Sequence, residues 1–87
     1  MKKTVYVIVQ SAKAGSEEHK NILCISQFMN EVQNRMNEIV VEFEDKQDEN
    51  GNFLWECERP WWSVANFKSN NHNLTMRIEM IEREIEL

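Results

Sequence analysis

Between Ile22 and Ile39 apolar residues recur at spacings of 3, 4, 3, 4 and 3, through Ile22, Ile25, Met29, Val32, Met36 and Ile39. That period predicts one amphipathic helix about six turns long. Phe28 widens the stripe, while Lys20, Gln27, Asn30, Glu31, Asn34 and Glu38 form the hydrated face. Ser16 suits the N-cap, and Glu17 and Glu18 suit a first turn, where the helix dipole favours carboxylates. A helix of this kind must bury its stripe against a second layer.

The remainder of the chain supplies that layer. Thr4–Gln10 is continuously apolar and β-branched around Tyr6, as in a central strand covered on both faces. Val40–Glu44 changes to a period of two, with Val41 and Phe43 opposed to Glu42 and Glu44, and Phe53–Glu58 alternates likewise. Between these two runs, Asp48 at the first turn position and Gly51 in the left-handed region predict a type I turn with a G1 bulge. In that register Phe43 faces Cys57 and Val41 faces Arg59, so the apolar side chains share one side. Trp61–Phe67 reads as a further strand or as a short helix begun by Pro60. Leu74, Met76, Ile78 and Met80 alternate, and Ile81, Ile85 and Leu87 resume out of phase, as in a strand with a bulge near Met80-Ile81. A helix is the rival, through Leu74, Ile78, Ile81 and Ile85. Glu82, Glu84 and Glu86 would crowd the negative end of such a helix and weigh for the strand.

The expected fold is α+β: one long amphipathic helix packed on a mainly antiparallel sheet of 4–5 strands, in the order β-α-β-β-(β)-β. With 87 residues, 41% of them hydrophobic and only 2 Gly and 1 Pro, residues 1–87 form a single domain with little irregular chain.

Several chemistries lack their residues. His19 and His72 are the only histidines, and neither sits in a signature for nucleophilic or general-base catalysis. Cys24 and Cys57 lack the paired spacing of a zinc site, so no metal is expected, and they read as free buried thiols of a reducing compartment. There is no glycine-rich phosphate loop, and hence no catalytic residue or cofactor is expected. The Val5–Val9 run behind Lys2 and Lys3 is too short for the core of a signal peptide. No stretch approaches the roughly 18–20 apolar residues of a membrane span. A cytoplasmic protein without a membrane partner is the resulting expectation.

Charge placement is the informative remainder. The net charge is −5. Residues 1–41 hold five Lys/Arg against four Glu, whereas residues 42–87 hold five against eleven acids. In the hairpin register above, Glu42 lies opposite Glu58 and Glu44 opposite Glu56. Like charges across a ladder are unfavourable, so a row of four glutamates on the face turned from the helix points to recognition of a cationic surface. Arg59, Trp61 and Trp62 adjoin that row and are of the residue types that dominate interfaces. Adjacent tryptophans on an extended segment point to opposite faces, so only one joins the helix-side core.

The functional expectation is a small acidic protein-binding module, an inhibitor or adaptor without catalysis. Its partner-binding residues are Glu42, Glu44, Glu56, Glu58, Arg59, Trp61 and Trp62. The partner is a protein with a basic surface, such as a nucleic-acid-handling enzyme, and direct nucleic-acid binding is not expected. In size, acidity and lack of catalytic signature the chain resembles the small inhibitors encoded by phages and mobile elements; that likeness rests on no motif. The rival readings are a structural homo-oligomer, such as a homodimer, joined through an edge strand or an exposed Trp, and a small nucleic-acid-binding domain.

Overall fold

The computed structural model describes residues 1–58, 61–69 and 74–86. It has one helix packed on a five-stranded antiparallel sheet, the expected α+β class. The elements in chain order are β1 (Lys2–Ala14), β2 (Glu17–Ser26), α1 (Met29–Glu44), β3 (Trp55–Cys57), β4 (Val64–Ser69) and β5 (Leu74–Glu86). Across the sheet the strands run β2-β1-β5-β4-β3.

The order of elements departs from expectation at both ends of the helix. Glu17–Ser26 is a strand, not the first turns of the helix, and it forms a hairpin with β1 through Gly15 and Ser16. Gly15 has φ +62, as the first central residue of a two-residue type II′ turn requires. A Gly-Ser pair between two runs is itself a hairpin signal. The three-residue spacing of Ile22 and Ile25 arises from a β-bulge rather than a helical turn. Val9 pairs with Ile22 and Ile8 with Cys24, leaving Leu23 as the extra residue. Leu23 and Cys24 both pack on the core, while Ile22 and Ile25 stay exposed.

At the other end, residues 40–44 are the last turn of α1, not a strand. Val32, Met36, Ile39 and Val40 are buried, and Phe43 extends that stripe. Val40 with Phe43 satisfies a helical period as well as Val41 with Phe43 satisfies a strand. Five residues cannot distinguish the two, and an established helix extends at the cost of one residue per new hydrogen bond. The Asp45 and Lys46 amides close the helix on the Val41 and Phe43 carbonyls, at 3.0 and 3.3 Å.

The turn that follows is the predicted one. The Gly51 amide donates to the Asp48 carbonyl at 3.1 Å, and Gly51 has φ +82. The Asp48 carboxylate accepts the Asn50 and Asn52 amides at 2.8 and 3.0 Å. The Asn52 bond, more than that of Asn50, holds this carboxyl below the ordinary aspartate value. The register is also the predicted one, but it ends after the single bridge Gln47–Phe53 because the chain has come straight out of a helix. Gly51→Ala places a Cβ in a left-handed conformation with no close neighbour. The expected loss is about 1 kcal/mol, read as a fall of several degrees in melting temperature. An unchanged melting temperature would contradict the turn.

The last segment is a continuous strand, and the bulge expected at Met80-Ile81 is not there: β5 pairs with β1 in unbroken register from Leu74 to Glu86. Its change of phase follows the change of covered face. Met76 and Ile78 are buried under the helix beside Met80, whereas Ile81 and Ile85 lie on the opposite face. The core thus gathers Ile8 of β1, Ala65 and Phe67 of β4, and Met76 and Ile78 of β5 against the α1 stripe.

Candidate functional site

The strand alternation and the register assign nearly every charge to a side of the sheet. On the face turned from the helix, Lys3, Lys13, Lys20, Lys68, Arg77 and Arg83 stand with Glu18, Glu56, Glu58 and Glu79. That is six cations against four anions among the described residues. The helix side is the reverse. Glu31, Glu38 and Glu42 are exposed on α1, and Glu82, Glu84 and Glu86 are exposed on the same side of β5. Their nearby cations are Arg35, bonded to Glu38 at 2.9 Å, and Lys2, 3.9 Å from Glu84.

The expected row of four glutamates therefore does not form. Glu42 and Glu44 belong to α1, where Glu44 is half-buried; Glu56 lies on β3 opposite Lys68; and Glu58 lies opposite Asn66. The ladder that would have aligned them stops at Gln47–Phe53, three residues short of the nearer pair. The acidity sits on the layer opposite to the one expected. Glu82, Glu84 and Glu86 were visible in the sequence as an alternating triad; the phase of β5 relative to the helix was not.

The tryptophans separate as expected. Trp61 is half-buried against the core and Trp62 is 83% exposed. Arg59 lies outside the described residues. His19 is exposed on β2, and His72 lies outside the described residues. Cys24 and Cys57 are half-buried thiols in their reduced form.

Glu56 and Glu58 instead help line a shallow depression of about 710 Å³ on the outer sheet face. Lys13, Lys68, Arg77 and Glu18 line it with them. Arg77 Nε donates to Asn66 Oδ1 at 3.4 Å, and its guanidinium is 4.0 Å from Glu79. Three cations and three anions so interleaved favour neither a phosphate nor a cationic ligand. Among the described residues no group of three or more His, Cys, Asp or Glu is placed to hold a metal ion. No helix among them is long and apolar enough to cross a membrane.

The outer face also carries a band of apolar side chains. Val5 and Val7 are shielded by their neighbours, and Ile22, Ile25 and Ile85 are exposed. The chain has 6400 Å² of accessible surface and a radius of gyration of 14.5 Å. A compact monomer of this mass and length has about 5400 Å² and about 12 Å. Comparison with known proteins gives no match to a family model, to a curated protein or to a solved structure.

Proposed function

We propose that this protein is an acidic, non-catalytic binding module, an inhibitor or adaptor of the phage or mobile-element type, acting in the cytoplasm on a partner protein with a basic surface. The observation that carries the reading is the segregation of charge between the two sides of the sheet. Exposed carboxylates on α1 and on the Glu82–Glu86 end of β5 present one sign over a long surface, with two cations among them. Such a field steers a cationic partner and orients it. The surface that serves this role is Glu31, Glu38, Glu42, Glu82, Glu84 and Glu86, of which only Glu42 belongs to the row expected from the sequence. Glu56 and Glu58 sit among lysines and an arginine, which partly cancel their field. The basic channels of nucleic-acid-handling enzymes are the kind of surface that such a carboxylate row fits.

The test is affinity capture from host lysate with the wild-type chain and with an E31K/E42K/E82K/E86K variant. The wild type is expected to retain a basic protein at low salt and to release it as salt rises. The variant is expected to lose that protein, and E56K/E58K to keep it. Equal capture by all three would remove the proposal.

A further inference from the structure

We infer that two copies of this chain associate through the open edge of β2, with residues 21–26 of each paired antiparallel about a two-fold axis. The inference is independent of the acidic surface, which lies on the helix and on β5.

Open strand edges are ordinarily blunted by charge or by shortness. Three edges of this sheet can be compared. β3 is three residues long. The side of β5 beyond Met80, where its pairing to β4 has ended, carries Glu82, Glu84 and Glu86. β2 is ten residues long, with β1 on one side and no strand on the other among the described residues. Its first half is charged, but Asn21-Ile22-Leu23-Cys24-Ile25-Ser26 contains no charge and no proline. Ile22 is 64% and Ile25 is 60% exposed, and the bulge at Leu23 places both on the outer face. Phe28 and Met29, just beyond this segment, are also exposed.

A second copy fits this edge on grounds of symmetry and charge. With the axis between Leu23 and Cys24, Ile22 of one copy lies beside Ile25 of the other, and Lys20 beside Gln27. No like charges meet within the paired segment. The patch is thus self-complementary, as a two-fold interface must be.

The experiment is sedimentation equilibrium on the full chain, with two exposed-site variants, I22K/I25K and I22E/I25E. The wild type is expected at twice 10.4 kDa, each variant alone at the monomer mass, and an equimolar mixture of the two at the dimer mass. Hydrogen exchange of the wild type supplies a second readout: amides in 21–26 should slow as concentration rises. A wild type that stays monomeric overturns the inference, as does a dimer that survives in either variant. If a variant fails to fold, exchange in 21–26 that does not change with concentration overturns it equally.

Discussion

Val40→Asp is expected to unfold the protein, while Val41→Asp costs only about 1 kcal/mol, the penalty of a carboxylate in the last turn of a helix. Val40 is fully buried among Val32, Met36 and Ile39, and Val41 is 51% exposed. A carboxyl group at 40 has no polar partner in that apolar cluster. It forfeits the aliphatic burial and must either stay charged in a dry site or take up a proton there, for a loss of about 4 kcal/mol or more. The whole stability of a chain this long is only about 4–13 kcal/mol. Urea denaturation followed by circular dichroism compares the two variants directly. The opposite ranking, with Val41→Asp the damaging change, would mean that residues 40–44 form the strand suggested by their alternation.

Phe67→Ala is expected to cost about 3–5 kcal/mol. Phe67 lies on β4 at 2% exposure. Its ring centroid is 5.9 Å from that of Phe43 and 6.5 Å from that of Trp55, the latter edge-on. It therefore joins three elements: the end of α1, the short β3 and the sheet. Removing the ring takes away the edge-on contact that seats Trp55, so tryptophan fluorescence should shift toward that of exposed indole before global unfolding. The cation of Lys46 lies 4.4 Å above the Phe43 ring and closes the cluster on its outer side. A double-mutant cycle of Phe43→Ala with Phe67→Ala should give a coupling of about 0.5–1.5 kcal/mol. A coupling of zero, with no fluorescence change, would show that the ring cluster contributes nothing.

Both variants bear on how much of the fold was readable in advance. The stripe from Met29 through Val32, Met36 and Ile39 is helical because those residues satisfy one period and nothing competes. Ile22 and Ile25 satisfied the same period by coincidence, since one extra residue in a bulged strand also separates two outward side chains by three. The competing signals were local: the Gly15-Ser16 pair and the four consecutive apolar residues Ile22–Ile25. The turn at Asp48–Gly51 was legible to the register because it is closed by its own side chain and by a glycine that alone accepts φ +82. The row of four glutamates was not, because it depended on how far that register ran. Which side of the sheet carries the acids follows from which side the helix covers, and that is decided by residues distant in sequence.

The sequence by itself determined the two-layer α+β composition, the helical phase of residues 29–39, the tight turn at 48–52 and that only one of Trp61 and Trp62 joins the core, without saying which. Each rests on side chains within a few positions of one another, where periodicity and backbone sterics act directly. Only the tertiary structure decided that β2 is a strand, that residues 40–44 complete the helix, and that the carboxylates gather on the helical side. β1 has hydrogen-bonding groups on both edges along its length, and the Glu17–Ser26 segment satisfies one of them. That demand belongs to another part of the chain, and it decided between the helical period of Ile22 and Ile25 and the local hairpin signal at Gly15-Ser16.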